Sequence, residues 1–480
     1  MPELMVSQTA DEQIRKIGNS RNEPAWLCEF RTKSLKLFRE LPIELSTLYT
    51  KYADLGGLDL ESVATPPPEP EELEIKQLRD KLESKSAISL YQFESKTLRP
   101  SLPETLQKEG VVFTDIKTAI NNNPEIFEQY FAKKAIMSEH DKFGALNNAL
   151  FTTGFYLYVP KGIELTVPLR YVTVLDAEEH SLFSQSIVVA DQRSKFTILE
   201  ELYSTRLTGQ RKRSLYSGLS EVQLHDNAEV TYSSINNLGT NFNIFSNKKS
   251  IGQRDSKIVW STGLLGGAYT RSRLESVMEG QGATSENIEV IFGSGVQRFD
   301  AVSNITHLGP NTSGHAISKG VVKDQARLVF KGMIRITKNA KNSRAYLAEH
   351  GMILGKEARA DAIPGLEIET NEVKATHSAS VAQINEEQIF YLMSRGMRED
   401  EAKRLIIVGF FEPIVERIPV PEVARRIRRI LELKWSGIQD FDASLTVPAI
   451  DDEYYDETQR PRHFRRPLQI PIRTRLPLIS

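Results

Sequence analysis

Short runs of alternating apolar residues fill the chain from about Ser214 to Ile384, and they constrain the fold more than any other feature. Each run spans roughly five to seven residues and ends at Gly, Asn or Asp. One run, residues 326–340, carries these apolar positions: Leu328, Phe330, Met333, Ile334 and Ile336. Period-2 alternation is typical of short strands joined by tight turns. The sequence therefore predicts a β-rich core.

Strands of this kind are compatible with a sandwich, an antiparallel barrel or a coil of parallel strands. The dipeptides Asn-Gly and Asp-Gly, which favour two-residue hairpins, are missing from the chain. Polar corners recur instead about every 20 to 30 residues, as a solenoid of stacked rungs requires. Examples are residues 226–228, 254–256, 339–341 and 356–358. The pattern favours a right-handed parallel β-helix.

Composition narrows the class of protein. The 480 residues carry a formal net charge of -2, which implies no general attraction to nucleic acid or membrane. The single cysteine, Cys28, excludes an intramolecular disulfide and a Cys-rich metal finger. We see no signal peptide and no apolar run of about 18 residues, the length that a membrane span needs. We therefore expect a cytoplasmic protein.

The patterns divide the chain into four parts. Residues 1–150 are predicted to be helical or mixed, with helices over 12–52, 71–83 and 124–133 and a Pro-rich linker near 65–70. Residues 151–384 form the predicted β-helix core. Residues 385–435 are predicted to be helical, and residues 436–480, which are acidic and then basic with five prolines, are predicted to be a flexible tail.

Three helices are predicted after the core. Asn385 is placed to cap the first, and Gly396 to end it. The second covers about 399–411 and the third about 421–434. In the third helix Arg425, Arg426, Arg428 and Arg429 lie away from the apolar stripe. These arginines form either a solvated face or a docking surface for an acidic partner.

The residues alone indicate few catalytic or metal-binding functions. No phosphate loop of the type Gly-x-x-x-x-Gly-Lys-Ser/Thr occurs, so we do not expect ATP hydrolysis. Stacked rungs bring distant positions together, which makes two pairings candidate iron or zinc ligands: His350 with Glu349, and His377 with Glu367 or Glu369. Each His is alternatively a hydrogen-bonded corner residue. Because iron–sulfur clusters are generally held by Cys, we do not expect this chain alone to hold one.

Several blocks resemble the SufB/SufD family, whose members take part in iron–sulfur cluster assembly by the SUF system. The resemblance covers roughly residues 15 to 435. It is carried by residues 141–151, 154–168, 266–274, 309–313, 326–332 and, most specifically, 364–381 with 384–397. The core blocks lean toward SufD, whereas residues 23–31 lean toward SufB.

The resemblance implies a non-catalytic scaffold subunit. Residues of about 180–380 would form the β-helix and pair with a SufB-type paralogue or a second copy. The helices of about 385–418 would dock the ABC-type ATPase SufC. The docking residues would be Phe390, Met393, Leu405, Phe410, Phe411 and Glu412. No cofactor would be bound stably by this chain alone, although a subunit interface would hold a transient iron–sulfur cluster or iron.

The chain departs from the family at the cluster positions. SufB-type members carry a Cys on the strand matching 346–351, where this chain has Glu349, and His-Glu where it has His377-Ser378. SufD-type members carry a Cys where this chain has Ala375. We therefore identify the chain as SufD-like without the cluster thiols, with His377 and Glu349 as the remaining candidate metal ligands. The alternative, from fold analogy alone, is a β-helical polysaccharide lyase or hydrolase.

Overall fold

The computed structural model describes residues 9–21, 23–44, 49, 66–84, 87–100, 102–122, 128, 130–131, 138–207, 213–438 and 440–445. Within these residues the chain is mainly β, with helices at both ends. Two sheets face each other, and consecutive strands of the core alternate between them. This arrangement confirms the predicted parallel β-helix.

The strands are numbered in chain order. The first sheet contains β1 (Ile88–Phe93), β2 (Lys96–Leu98), β5 (Leu169–Val174), β7 (Lys195–Tyr203), β9 (Glu229–Asn237), β11 (Lys257–Leu264), β13 (Thr284–Gly293), β15 (Ser313–Lys323), β17 (Arg344–Leu354) and β19 (Lys374–Gln383). The second sheet contains β3 (Val112–Asp115), β4 (Phe155–Val159), β6 (Ser181–Ala190), β8 (Ser214–Leu224), β10 (Phe242–Gly252), β12 (Tyr269–Met278), β14 (Arg298–His307), β16 (Arg327–Ile336) and β18 (Arg359–Ile368).

Each core strand pairs in parallel with the strand two places on in the chain. Arg298 of β14 thus pairs with Arg327 of β16, one rung later. The β1–β2 and β3–β4 pairs are antiparallel and lie at the N-terminal end of the solenoid. Because β1 pairs with β5, the first sheet begins well before residue 151, where the sequence analysis placed the start of the core.

The corners predicted at 226–228 and 254–256 are tight turns. Asn227 has φ 58 and Asp255 has φ 53, the left-handed region that Asn and Asp tolerate best. The Asn227 N–H donates to the Arg254 carbonyl of the next rung at 2.8 Å, and Asp255 repeats this with Gln281 at 2.9 Å. The polar residues at these corners therefore link rung to rung through backbone hydrogen bonds.

The N-terminal helices are α1 (Thr9–Arg21), α2 (Ala25–Glu40), α3 (Glu72–Leu82), α4 (Glu104–Lys108), α5 (Ile116–Asn122) and α6 (Lys142–Leu150), with a 3₁₀ turn at Ser138–His140. Helices were predicted over 12–52 and 71–83. The described residues of the first range contain two helices, separated between Arg21 and Ala25, and α3 matches the second range. Residues 66–70 of the linker are neither helix nor strand. Most of 124–133 and of 45–52 lies outside the described residues.

Helices α1, α2 and α6 share a buried apolar cluster with the outer face of the second sheet, whereas α3 packs on the first sheet. Asp141 caps α6 by accepting from the Gly144 N–H at 2.8 Å, and it also pairs with Arg271 of β12 at 2.9 Å. The Phe143 ring stacks on Phe245 of β10 at 4.2 Å. Two sequence blocks far apart in the chain, 141–151 and 266–274, therefore meet at a structural joint.

The C-terminal helices are α7 (Glu386–Ser394), α8 (Glu399–Val415), α9 (Pro421–Trp435) and α10 (Phe441–Leu445). Asn385 caps α7 by accepting from the N–H groups of Glu387 and Gln388, as predicted, and Gly396 follows its end with φ 94. The predicted tail begins with a packed segment, because Phe441 of α10 is buried against Tyr203. Residues 446–480 lie outside the described residues.

Helices α8 and α9 cover the outer face of the first sheet. They pack on an apolar set of β13 that includes Ile288, Val290 and Phe292. The inner faces of the sheets hold separate apolar clusters, such as the one around Leu328 and Phe330. The protein is therefore layered as helices, sheet, sheet and helices. Among the described helices, none is both long and apolar enough to cross a membrane.

Candidate functional site

The last rung of the solenoid leaves part of its inner face open. Strands β18 and β19 end the two sheets, so each has a paired neighbour on one side only. His377 lies on β19 with the same alternation as Ala375 and Val381, which pack inward. It is nevertheless exposed, because no further rung among the described residues covers it.

Glu349 lies one strand deeper, on β17, and only 1 % of it is exposed. Its Oε1 lies against the backbone of Gly332 in the facing sheet, and its Oε2 has no hydrogen-bond partner among the described residues. Burial, with the charge of Glu289 as a second cause, raises the pKa of Glu349 to about 8. At neutral pH this carboxyl is therefore mostly protonated.

The two candidate ligands share the inner face but are not direct neighbours. His377 pairs with Leu347, and Glu349 pairs with Ala379. They are thus diagonal positions on adjacent strands, with His377 at the opening and Glu349 beneath it. Among the described residues no group of three or more His, Cys, Asp or Glu could hold a metal ion. A metal held here would need further ligands.

The other proposed pairings do not form. His350 points to the opposite face from Glu349, because successive side chains of a strand alternate, and its Nδ1 lies 2.7 Å from the Ser380 hydroxyl. Glu367 and Glu369 both engage Arg335, at 3.3 and 3.2 Å, rather than His377.

A column of polar side chains, absent from the sequence predictions, runs inside the solenoid toward Glu349. The strand register places these inner-facing residues on successive rungs of the first sheet: Glu200, Ser234, Thr262, Glu289, Ser318 and Glu349. Lys248 of the second sheet contacts Glu200, and the Tyr232 hydroxyl donates to the same carboxylate at 3.1 Å. Ser318 donates to Glu289 at 2.8 Å. In the sequence, the charged Glu289 within the apolar run 288–292 is the feature that could have indicated this column.

Gly332 makes room for the Glu349 carboxyl, so Gly332→Ala is expected to destabilise the fold by about 1–3 kcal/mol. A Cβ at residue 332 would lie 2.6 Å from Glu349 Oε1 and 2.8 Å from a Leu347 methyl. Denaturant unfolding measures the change. Gly409→Ala is the control, because its Cβ would meet nothing within 4 Å on an α8 position where Ala is the better helix former. Equal stability of both variants would contradict the packing account.

The structure distributes the six predicted docking residues among three places, the last of which, for Glu412, is described below. Phe390 and Met393 of α7 and Leu405 of α8 are exposed, Phe390 by 72 %. Phe411 is buried against the solenoid near Phe292. Lys319 of β15 contacts Phe410 twice. Its Nζ donates to the Phe410 carbonyl at 2.7 Å and lies over the Phe410 ring, 4.8 Å from the ring centroid. Phe410 is therefore partly buried, and less of it is open to a partner than of Phe390.

A groove lies between α8 and α9, hereafter the α8–α9 groove. Its lining is mostly apolar and includes Ile407, Val408, Phe411, Val415, Leu431 and Trp435. Two ion pairs cross it from helix to helix: Arg404 with Glu432 and Arg428 with Glu412, each at 2.6 Å. Glu412, a predicted docking residue, therefore lies on the rim of this groove.

The arginine run of α9 is mostly used inside the protein. Arg426 is buried and binds Glu201 of β7, while Arg428 binds Glu412 of α8. Arg429 donates to the Ala443 carbonyl at 3.1 Å. The prediction of a solvated or docking face is wrong for these three residues, because their side chains contact the sheet, α8 and α10, respectively.

Two protein-family models match the chain. The SufBD core domain of SUF system FeS cluster assembly matches residues 173–410, and the SufBD protein N-terminal region matches residues 82–171. Together they span the solenoid from α3 to α8. The first match also includes His377, Glu349 and the exposed face of α7.

Curated proteins match over most of their length. An iron-sulfur cluster assembly SufBD family protein of Staphylococcus aureus strain MRSA252 is 31% identical over 442 residues, which cover 88% of this chain and 92% of the relative. A protein of the same description from Staphylococcus saprophyticus is 31% identical over 443 residues, with the same coverage of both chains.

Proposed function

Because this chain belongs to the SufBD family of iron–sulfur cluster assembly proteins, we propose that it is a non-catalytic scaffold that pairs through its β-helix and docks an ABC-type ATPase of the SufC type. A role in assembly by the SUF system follows from the family. The finer proposal rests on one observation: the same chain has both an open solenoid end and an exposed apolar helical face. The polysaccharide-enzyme alternative rested on fold analogy alone.

The open end supports pairing with a second β-helix. Edge strands present unpaired backbone N–H and C=O groups, which another chain can satisfy. Ile368 of β18 is an apolar residue of the last rung and is 42 % exposed. The partner in this proposal is a SufB-type paralogue or a second copy of the chain, and the interface would cover both β18 and β19.

Iron or a transient cluster is cargo at this interface in our proposal. His377 offers an exposed imidazole, and Glu349 lies beneath it with an oxygen that lacks a partner in the described chain. Two side chains are too few to hold a cluster, so the paired subunit would complete the ligand set. In this arrangement neither subunit binds the cargo stably alone.

We expect His377→Ala to reduce the iron in the anaerobically purified complex by at least half, because it removes the exposed donor of the site. Iron is measured per complex after size-exclusion chromatography with mass determination, together with absorbance near 400 nm. His315→Ala is the control, an exposed His on the outer face of β15. Unchanged iron in an intact His377→Ala complex would argue against a ligand role.

The ATPase docks, in this proposal, on the exposed apolar face of α7 and the start of α8. Its residues include Phe390, Tyr391, Met393, Met397 and Leu405. Contiguous exposed apolar residues of this kind mark interaction sites. The acidic first turn of α8 (Glu399, Asp400 and Glu401) borders the face and would favour a basic rim on the partner.

Phe390→Ala is expected to weaken binding of the ATPase at least tenfold, because large aromatic side chains at the centre of an interface carry most of its binding energy. Titration calorimetry with the purified ATPase measures the affinity. Leu73→Ala, a large exposed apolar residue on distant α3, is the control. Equal affinities of the Phe390→Ala and Leu73→Ala variants would show that the ATPase docks on a different surface. Deleting 385–434 is a poorer test, because it would expose Ile288, Val290 and Phe292 of the sheet.

A further inference from the structure

A second cavity lies where the end of α9 and helix α10 meet the solenoid corners that follow β9, β11 and β13. It shares no lining residue with the α8–α9 groove. Leu238, Leu265, Ile430 and Leu433 supply much of its apolar lining. Concave sites with an apolar lining and a few converging polar groups are typical of small-molecule sites. The polar side chains here belong to Asn237, Thr240, Gln297, Lys434, Asp440 and Ser444.

Lys434 brings an amine into this cavity without a counter-ion. Its Nζ donates to the Leu265 carbonyl and, at 2.8 Å, to Gln297 Oε1, and both of these acceptors are neutral. An ammonium has three N–H groups, so one has no acceptor among the described residues. Burial, with the positive charge of Lys323 as a second cause, lowers the pKa of Lys434 to about 7. An anion from outside the chain would therefore stabilise the charged form of this amine.

Asn237 contributes a second unused donor to the same cavity. It is the last residue of β9, only 5 % of it is exposed, and it lines the cavity. Its side-chain amide makes no hydrogen bond with any described residue. Because buried amides are nearly always hydrogen-bonded, an unused amide beside a cavity indicates a missing partner. The amide and the amine of Lys434 both donate, so the partner that would satisfy both is an acceptor.

We propose that this cavity binds a small organic monocarboxylate. The carboxylate accepts from the Lys434 amine and the Asn237 amide, and its short alkyl group contacts the leucine and isoleucine side chains of the lining. On binding, the neutral amine takes up one proton from solvent and pairs as an ammonium with the carboxylate. Asp440 is exposed and caps α10 by accepting from the Ala443 N–H at 3.1 Å, and its charge disfavours ligands with a second anionic group.

This site is independent of the functions proposed above, because none of its residues belongs to the exposed face of α7 and α8 or to the open end of the solenoid. A ligand held between Lys434 of α9 and Asn237 of β9 would fasten the end of α9 to the first sheet. We therefore expect amide exchange at the end of α9 to slow when the ligand binds.

Titration calorimetry of the full-length protein with butyrate tests the site, and butyramide is the uncharged control of nearly the same shape. We expect butyrate to bind at least tenfold more tightly than butyramide. At pH 8 most of the free Lys434 amine is neutral, so binding should take up more than half a proton, which is measured in two buffers of different ionisation enthalpy. Equal affinities, binding without proton uptake, or no binding of butyrate would each overturn the proposal.

Two variants separate ligand binding from folding. Lys434→Met should weaken butyrate binding at least tenfold, and Asn237→Leu at least threefold. Because Asn237→Leu replaces a buried amide that has no partner, we expect it to be at least as stable as the wild type. Lys356→Met, at an exposed corner residue, is the control and should bind butyrate as the wild type does. A stable Asn237→Leu protein with wild-type affinity for butyrate would contradict the assigned site.

Discussion

Replacing Arg426 with Ala is expected to lower the free energy of unfolding by about 3 kcal/mol, because it leaves a buried carboxylate short of one cation. Arg426 is 7 % exposed, and its guanidinium contacts Glu201 of β7 and donates to the Tyr203 hydroxyl at 3.1 Å. Glu201 is 2 % exposed and also binds Arg170 of β5 at 2.7 Å. Although burial alone would raise the pKa of Glu201, the charges of Arg170 and Arg426 hold it below its usual value.

The same junction connects the two ends of the chain. Arg170 also donates to the Leu82 carbonyl at the end of α3, and Arg426 pairs with Glu422 on its own helix at 2.9 Å. Loss of Arg426 therefore loosens α9 on the first sheet. We expect amide exchange in α9 to rise before that in β13, because the solenoid pairing itself is untouched.

Denaturant unfolding and hydrogen exchange measure these effects. Arg404→Ala is the matched control, since its ion pair with Glu432 is about half exposed and should be worth at most about 1 kcal/mol. A combined Arg170→Met, Glu201→Leu and Arg426→Met variant should recover most of the loss, because apolar residues can replace a buried ion network without an unpaired charge. If the Arg426→Ala protein is as stable as the Arg404→Ala protein, the buried junction does not contribute the stability that we expect.

The second large effect is on the pH dependence of stability at Glu349. Its folded pKa of about 8 lies above the unfolded value of about 4.3. Its contribution to stability is therefore fully present below the unfolded pKa and is lost as pH rises through the folded pKa. Between about pH 5 and pH 8 this one group should lower the free energy of unfolding by about 1.4 kcal/mol per pH unit.

Glu349→Gln is expected to remove that slope, so the stability of the variant gains on the wild type as pH rises from 5 to about 8. Burial also raises the pKa of Glu289 to about 7, and therefore part of the slope remains up to that pH. Chemical denaturation at several pH values, with a chelator present, measures the slopes. Glu416→Gln, an exposed carboxyl on the C-terminal side of α8, is the control. Parallel profiles for the wild type and Glu349→Gln would contradict a buried neutral carboxyl.

The sequence was informative where a short-range rule was sufficient. Asn227 and Asp255 tolerate positive φ, so the corners of the solenoid were visible from residue type and spacing. Asn385 and Gly396 likewise marked the start and end of α7, because capping depends on residues within one turn. The period-2 runs predicted the strands, and the resemblance of residues 364–381 and 384–397 predicted the family.

The alternation of apolar residues alone could not show which face of a strand points into the solenoid. In β13 the apolar set at Ile288, Val290 and Phe292 contacts α8 and α9, while Glu289 points into the solenoid. Both faces of this strand are covered, so the usual contrast between an apolar buried face and a polar solvated face is lost. The interior polar column, which only Glu289 within an apolar run could have indicated, was missed for the same reason.

The sequence by itself determined that this chain is a solenoid with helical ends, and it singled out Glu349, His377 and Arg426 as candidate site residues. Only the tertiary structure decided what those residues do: Glu349 is buried beneath an exposed His377, and Arg426 is an internal anchor instead of part of a surface. The reason is physical. Turns and strands depend on neighbours in sequence, whereas burial, charge pairing and pKa depend on residues that only the stacked rungs and packed helices bring together.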